Sequence, residues 1–316
     1  MANFWKKLKK PILILAPMED VTDHAFREIV CQLAKPDVLF TEFTSAEALK
    51  YKTSERVYQK LKYSEKQRPI VAQIWGGNPE NLYDAAKLVR EYGFDGVDIN
   101  LGCPEKNVMK KPAGSGLIGN YDVVDKIIKA VKEGAGGLPV SVKTRMRYKN
   151  TTIDEWVGFL LKYDLAAITI HGRTPEQQST GTADWNEVGR MVELRNKTAP
   201  GTLIIGNGDV KTYADAVDKY DRHKVDGIMI GRGIFHNPWI FAKEIKPKER
   251  SKEEYLQTLL GHMELFEKTW GRKKNFAILK KFFKIYVKDF DGAPVIRDRL
   301  MKSKNSREVR EILSGL

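Results

Sequence analysis

The chain has 316 residues, with 54 Lys and Arg against 41 Asp and Glu, and a formal net charge of +13. Hydrophobic residues make up 42% and charged residues 30%, a balance typical of soluble globular proteins rather than of disordered ones. The apolar runs are too short for a membrane helix of about 20 residues, and two cysteines cannot build a disulfide framework. We therefore expect a cytoplasmic protein with a polyanionic partner and no membrane contact.

Eight short β-branched or aliphatic runs recur along the first three quarters of the chain, each followed by a longer helix-like stretch. Most runs are continuously apolar, as expected for parallel strands buried on both faces. The predicted strands are 12–16, 38–42, 70–74, 97–101, 140–144, 167–171, 203–207 and 227–231, and predicted helices between them include 81–92, 122–133, 153–163 and 213–220. Eight such units predict an α/β fold, a (β/α)8 TIM barrel, rather than a Rossmann-type doubly wound sheet with fewer strands.

One apparent nucleotide-binding pattern is discounted. Residues 114–119, GSGLIG, match the dinucleotide pattern, but that motif must join a strand directly to a helix, and here the preceding strand ends near Leu101. We interpret the segment as a flexible loop. The sequence has neither a phosphate-binding P-loop nor an HExxH zinc motif, and we expect no metal.

From Lys243 onward the pattern is purely helical, with predicted helices at 252–270, 276–289, 295–301 and 307–313. Residues 243–316 hold 19 basic and 11 acidic side chains, whereas the rest of the chain is nearly balanced. We therefore divide the chain into a catalytic barrel, residues 1–243, and a small all-helical basic domain, residues 244–316.

Within the basic domain, residues 271–288 contain seven cations and no acidic residue. Lys280, Lys284 and Lys288 share one helix face. A charge run is usually a solvated surface, but cations without a counter-charge repel one another unless an anion is near. This pattern favours contact with nucleic acid.

In a (β/α)8 barrel the ligand site lies at the carboxyl ends of the strands. The polar residues predicted at that rim are Gln73, Asn100, Cys103, Lys143, Arg145, His171, Arg173, Asn207, Asp209 and Arg232. Glycines at 206, 208, 231 and 233 suit a phosphate cradle, although tight turns alone would also require glycine.

Three of these residues carry the chemistry. Lys143 lies on a buried strand, where a lysine needs a partner that tolerates positive charge; a flavin fits, because its reduced form is negative near N1. His171 is either a hydrogen-bonded core histidine or a ligand contact at its strand end. Cys103, before Pro104 at the barrel mouth, can act as an acid or a nucleophile, whereas Cys31 is interpreted as a packing residue.

The segments DINLGCP at 98–104 and HGRT at 171–174 make the chain resemble the tRNA-dihydrouridine synthases, flavoenzymes that reduce the C5–C6 double bond of uridines in tRNA. Further matching segments, in order and at family-like spacing, are APM at 16–18, QIWG at 73–76, VKTR at 142–145, GNGD at 206–209, GRG at 231–233 and NPWIF at 237–241.

The resemblance implies FMN at the barrel mouth, NADPH or NADH as electron donor, and Cys103 as the acid that protonates C5 of a flipped-out uridine. The cofactor-binding residues implied are Pro17, Met18, Glu19, Gln73, Lys143, His171, Asn207, Gly208, Asp209, Gly231 and Arg232. The RNA-binding residues implied are Asn100, Arg145, Arg173, Lys280, Lys284 and Lys288. Many members have small residues in place of Glu19 and Asp20, so the Glu19 side chain should point away from the flavin. The segment 105–119 is expected to be a mobile loop hinged at Gly114 and Gly116.

Three alternatives remain open on sequence grounds. The first is an FMN-dependent barrel that acts on a free pyrimidine or another small molecule, which leaves the basic domain without a role. The second is a dihydrouridine synthase that acts on another RNA such as rRNA. The third is an RNA-binding scaffold that keeps a relic barrel. The oligomeric state is open, and a monomer is compatible with the sequence.

Overall fold

The computed structural model describes residues 3–51 and 55–315. The strands are β1 (Ile12–Leu15), β2 (Val38–Phe40), β3 (Thr44–Ser45), β4 (Ile70–Trp75), β5 (Gly96–Leu101), β6 (Val140–Arg145), β7 (Ala167–His171), β8 (Leu203–Asn207) and β9 (Gly227–Ile230). The α-helices are α1 (His24–Ala34), α2 (Ala46–Lys50), α3 (Glu55–Gln59), α4 (Pro79–Glu91), α5 (Lys106–Met109), α6 (Tyr121–Ala135), α7 (Ile153–Leu160), α8 (Trp185–Thr198), α9 (Tyr213–His223), α10 (Lys252–Trp270), α11 (Ala277–Tyr286), α12 (Ala293–Lys302) and α13 (Ser306–Ser314). Among the helices described, none is long and apolar enough to cross a membrane.

The sheet closes on itself as a parallel barrel. Neighbouring strands run β2-β1-β9-β8-β7-β6-β5-β4, and β2 also pairs with β4, which completes the ring. The predicted (β/α)8 barrel is therefore confirmed, because an open doubly wound sheet would leave two edge strands. The short strand β3 was not predicted; it pairs with the end of β4 beyond the point where β2 leaves the ring.

The helices begin where the sequence supplies capping side chains. Thr152 and Glu155 form a capping box at the start of α7, and Ser251 and Glu254 form another at the start of α10. Each strand of the ring is buried along most of its length, so the helices shield both the apolar strands and their backbone from water. The barrel thus holds its strand ends in fixed positions at one rim.

The C-terminal helices pack directly on the barrel through α1. The ring of Phe26 lies 4.9 Å from that of Phe282. Trp270 Nε1 and Lys274 Nζ both reach Asp23 Oδ2, at 2.8 and 2.9 Å. Asp23 also caps α1, so these contacts fix the turn between β1 and α1. That turn begins at Pro17, which places the helical region against a loop of the barrel mouth.

The segment 114–119 is not the flexible loop predicted from its glycines. A 3-10 helix spans Gly114–Leu117, and Ser115 donates to the Cys103 carbonyl oxygen through its amide at 3.0 Å and its hydroxyl at 2.9 Å. Gly114 has φ +57, and an added Cβ would lie 2.8 Å from that oxygen. This glycine therefore permits close packing against Cys103 and does not serve as a hinge.

Close packing also explains two of the four glycines assigned to a phosphate cradle. A Cβ on Gly206 would lie 2.2 Å from the Trp185 ring, and one on Gly233 would lie 2.1 Å from the Val210 carbonyl oxygen. Both clashes are with the protein itself. At these two positions, one within β8 and one just after β9, the requirement for glycine comes from close packing inside the protein.

We predict that Gly206→Ala destabilises the barrel by about 1–3 kcal/mol, because the methyl group overlaps the Trp185 ring. The loss appears as a fall of several degrees in the Tm of the purified protein. Gly201→Ala is the matched control, since nothing lies within 4 Å of its added Cβ. Equal Tm values for the two variants would contradict this packing account.

Candidate active site

A cavity of about 500 Å³ opens at the carboxyl ends of the strands. Eleven of the predicted site residues line it: Pro17, Met18, Lys143, Arg145, His171, Arg173, Asn207, Gly208, Asp209, Gly231 and Arg232. Lining residues that the sequence analysis did not select include Pro104, Glu105, Gln178, Ser179, Lys211 and His236. The cavity has the size and the mixed lining of a small-molecule site.

Four predicted site residues of the barrel, besides the three lysines of the C-terminal helices, do not line the cavity. Glu19 lies outside the cavity lining and forms an ion pair with Lys60. Its side chain therefore points away from the cavity, as the sequence comparison with the family led us to expect. Gln73 and Asn100 are buried beneath the rim. Cys103 is half-buried and adjoins the cavity through Pro104, which does line it.

Lys143 brings a cation to the cavity, and the Asp98 carboxylate of β5 acts on it electrostatically without a direct ion pair. Among the described residues, its Nζ has no hydrogen-bond or ion-pair partner. Burial lowers the pKa of Lys143 to about 8, and repulsion from Arg145 acts in the same direction. The ammonium is therefore charged at neutral pH but gains from any anionic or acceptor group that enters the cavity.

His171 is neutral at the same rim. Burial lowers the pKa of its imidazole far below the usual value, and the nearby cations, Lys143 foremost, lower it further. Arg173 Nη1 lies 3.3 Å from His171 Nε2. Because a guanidinium only donates, Nε2 must accept and the ring proton must sit on Nδ1. The neutral imidazole therefore has one N–H donor to offer a ligand.

Arg145 is tied to the protein backbone rather than free for RNA. Its Nε donates to the Gly102 carbonyl oxygen at 3.0 Å, and Nη1 donates to the carbonyl oxygens of Thr174 and Gln178, both at 2.8 Å. The last two belong to residues 174–181, here called the strap, which follows β7. Arg145 therefore joins the strap to the turn that precedes Cys103.

Arg173 holds the other end of the strap. Its guanidinium donates to the carbonyl oxygens of Thr180 and Gly181 and to both carboxylate oxygens of Asp209. Only 2% of Arg173 is exposed, and its guanidinium has protein partners although it lines the cavity, so its contact with RNA stays a prediction. Sequence could not show this, because its partners lie in an irregular loop and in the turn after β8.

Two predicted phosphate-binding side chains also have protein partners. Asp209 accepts from Arg173 and, at 2.7 Å, from the Ala183 amide; these contacts outweigh burial and lower the pKa of its carboxyl. Asn207 Nδ2 donates to the Met229 carbonyl oxygen at 2.8 Å. A phosphate would be repelled by the Asp209 carboxylate, so only the backbone of these turns suits one.

Cys103 is a protonated thiol in this setting. Burial raises the pKa of Cys103 against the opposing effect of nearby Lys143 and Arg145. The residue is held through its backbone, since its amide donates to Asn100 Oδ1 at 3.0 Å and its carbonyl oxygen accepts from Ser115. A neutral thiol on a fixed backbone is suited to donating a proton.

Asp98 is a site residue that sequence reasoning missed. Its buried carboxylate lies on β5 and accepts from Gln73 Nε2 at 2.7 Å and from Ser141 Oγ at 2.6 Å. A carboxylate within the apolar run of 96–101 was a usable signal, for the same reason that singled out Lys143: buried charges require partners.

The basic stretch 271–288 obtains partners from elsewhere in the chain. Lys274 pairs with Asp23, and Lys280 donates to the Met301 carbonyl oxygen at 2.7 Å. Other members of the stretch with partners are Lys273 with Glu55, Lys281 with the Asp20 carbonyl oxygen, and Lys288 with the His236 carbonyl oxygen. The inference of seven cations without counter-charge is therefore wrong, because carboxylates of the barrel pair with two of them and backbone carbonyl oxygens of the barrel and of α12 accept from others.

Besides Lys273, which is exposed and paired with Glu55, two cations of this stretch lie on the surface. Lys284 is exposed and lies over the Phe235 ring, and Arg272 is exposed at the end of α10. Phe235 is next to His236, which lines the cavity. Lys284 is therefore the predicted RNA contact that the structure leaves both accessible and close to the mouth.

Comparison with known proteins agrees with this arrangement. The family model described as dihydrouridine synthase (Dus) matches residues 14–314. Curated relatives include a probable tRNA-dihydrouridine synthase of Staphylococcus aureus (strain COL), 44% identical over 98% of this chain and 94% of that protein. Another is the probable tRNA-dihydrouridine synthase 2 of Bacillus subtilis (strain 168), also 44% identical, over 98% of this chain and 95% of that protein.

Solved structures add support for the fold alone. A variant of NCR from Zymomonas mobilis has a TM-score of 0.51 at 17% identity, over 77% of this chain and 90% of that one. Morphinone reductase has the same TM-score at 13% identity, over 77% and 88%. The family model and the nearly full-length relatives give evidence beyond the fold. On this evidence the chain belongs to the dihydrouridine synthase family.

Proposed function

We propose that this chain reduces uridines in tRNA to 5,6-dihydrouridine, with FMN in the cavity and Cys103 as the proton donor. The observation that carries the proposal is a neutral thiol next to a cavity that also presents the Lys143 cation and the neutral His171. These are the parts that reduction of a conjugated C=C bond requires: a site for a hydride carrier, a group that tolerates its negative charge, and an acid. We expect the enzyme to act in the cytoplasm.

The cavity residues fit a phosphorylated flavin. Pro17 and Met18 offer an apolar wall for the ring, and Lys143 offers a cation to its polar edge. At the other side, Gly208, Gly231 and Arg232 would hold the phosphate, with the guanidinium of Arg232 exposed and unpaired among the described residues. Bound FMN would supply the hydride that reduces uracil C6, with NADPH or NADH as the source of electrons.

Cys103 would complete the reduction by donating its proton to uracil C5. A thiolate would be unable to do this, and the burial that raises the pKa of Cys103 keeps the thiol protonated at neutral pH. The turn that carries it lies beside Pro104 and Glu105, both in the cavity wall. A uridine must leave its stack to enter such a cavity, at a cost of a few kcal/mol.

We assign residues 244–316 to holding the RNA and residues 1–243 to the chemistry. Lys284 is exposed over Phe235, which is next to the cavity-lining His236, and Arg272 adds a second exposed cation in these helices. Cations at the edge of the cavity favour a polyanionic substrate over a free pyrimidine, since they would have no role in binding a small neutral base. These cations do not distinguish tRNA from rRNA as the substrate. The names of the relatives favour tRNA.

Cys103→Ala should abolish most dihydrouridine formation while retaining flavin absorbance and tRNA affinity, because only the proton donor is removed. The measurement is nucleoside mass spectrometry of tRNA after incubation with the enzyme and NADPH. Cys31→Ala is the matched control, since Cys31 packs against the hydrophobic core on α1. Wild-type dihydrouridine levels in Cys103→Ala would remove Cys103 from the mechanism.

The rate of tRNA reduction should fall as pH rises through about 8. Lys143 has a lowered pKa, so its charge is present below about pH 8 and is lost above it. In Lys143→Arg the cation persists, because a guanidinium titrates above about pH 12. The falling limb should therefore move to higher pH in this variant, in a stopped-flow pH profile of enzyme reduced beforehand. The same falling limb in both proteins would exclude Lys143 as its source.

Lys284→Glu should weaken tRNA binding several-fold at about 0.1 M salt and reduce the slope of log Kd against log salt by about 1 or more. The control is Lys197→Glu, an equal charge change at an exposed position in the last turn of α8, outside the cavity lining. Electrophoretic mobility shifts at several salt concentrations provide the measurement. Equal weakening by both changes would indicate non-specific attraction and argue against an RNA face on α11.

A further inference from the structure

A continuous chain of buried hydrogen bonds leads from β6 to the backbone of Cys103. Ser141 Oγ and Gln73 Nε2 donate to the two carboxylate oxygens of Asp98. Asn100 Nδ2 donates to Gln73 Oε1 at 2.9 Å. Asn100 Oδ1 then accepts from the Cys103 amide, and from the Gly102 amide, both at 3.0 Å. This hydrogen-bond network thus joins the neighbouring strands β4, β5 and β6 and ends at the turn that carries the Cys103 thiol.

The direction of donation along these hydrogen bonds is fixed by the groups at the two ends of the network. Asp98 can only accept when ionised, and the backbone amides of Gly102 and Cys103 can only donate. An amide side chain can be turned either way, so Gln73 and Asn100 do not fix their own orientation. With an acceptor at one end and donors at the other, only one orientation of each amide satisfies every bond.

Burial makes this direction of donation costly to reverse. Asp98 and Gln73 are completely buried, and Ser141 and Asn100 are 1% and 7% exposed, so water does not replace a lost partner. Burial raises the pKa of Asp98 to about 6, against the opposing hydrogen bonds from Ser141 and Gln73. The carboxylate is therefore ionised at neutral pH, and it has both of its donors in place.

We propose that Asp98 is a positioning residue whose carboxylate, through the amides of Gln73 and Asn100, fixes the turn that holds the Cys103 thiol at the cavity. In this arrangement Asn100 anchors the turn through the amides of Gly102 and Cys103. The inference rests on the proposed role of Cys103 as acid. Its test measures the thiol itself, without any reduction of RNA, so the two ideas fail separately.

The test is the rate at which iodoacetamide alkylates Cys103 in the flavin-loaded protein, followed by mass spectrometry in a Cys31→Ala background. Asp98→Asn should stay within about twofold of the parent rate, because an amide can accept from Gln73 and donate to Ser141 Oγ. Asp98→Leu leaves Gln73 Nε2 without an acceptor, so the turn should open more often and alkylation should be at least about fivefold faster. A parent-like rate in Asp98→Leu overturns the proposal.

A second pair of variants decides the matter if Asp98→Leu does not fold. Adding Ser141→Ala to Asp98→Asn removes the group that orients the new amide, so either of its ends can face Gln73. Alkylation should then be about two- to threefold faster than in Asp98→Asn alone. Equal rates in these two variants overturn the proposal.

Asp226→Asn separates positioning from general destabilisation. Asp226 is also a buried carboxylate of the barrel, but it lies before β9 and pairs with Arg195 at 2.6 Å, at the other end of the strands. This variant should lower the Tm and leave the alkylation rate of Cys103 within about twofold of the parent. An acceleration equal to that of Asp98→Leu would mean that the thiol reports global loosening, and would overturn the proposal.

Discussion

The concentration of positive charge at the barrel mouth is the constraint on which the site depends. Partial burial lowers the pKa of the half-buried His171, and the four cations Lys143, Arg145, Arg173 and Arg232 lower it further and keep the imidazole neutral. Fixed protein acceptors satisfy Arg145 and Arg173, which thereby close the strap over the rim. The other two, on β6 and after β9, keep their charge for a ligand. Two of the four cations therefore stabilise the structure of the barrel mouth, and the other two are those that we propose bind an anionic cofactor.

The cations of the C-terminal helices are likewise divided between those paired within the protein and those left exposed. Most cations of the basic stretch dock on acceptors of the barrel, and Trp270 joins Lys274 on Asp23 at the turn between β1 and α1. Because that turn also carries Pro17 and Met18, the region proposed to hold RNA is mechanically connected to the wall proposed to hold the flavin. The proposed RNA-holding region and the proposed flavin wall therefore share one loop, and Lys284 and Arg272 remain exposed.

The barrel could be predicted from sequence because its strands are local apolar runs and their order follows the chain. The rim residues followed from topology, since parallel strands end on one side. Ion pairs between segments that are distant in sequence could not be predicted. The residues around Arg173 gave no sign of its pairing with Asp209, and those around Lys274 gave no sign of its pairing with Asp23. Gly114 was misjudged for a related reason, as its demand for space comes from the Cys103 carbonyl oxygen. Asp98 could have been recognised in the sequence as a buried charge, but its hydrogen-bond connection to Cys103 through Gln73 and Asn100 is visible only in the three-dimensional structure.

The central claim is that this protein forms dihydrouridine in tRNA, and position-by-position mapping of dihydrouridine tests it most directly. The measurement compares tRNA from cells with and without the gene, with rRNA mapped in parallel. We predict that at least one tRNA position loses its dihydrouridine when the gene is absent and regains it on complementation. Identical tRNA maps in the two strains, or a loss confined to rRNA, would contradict the account.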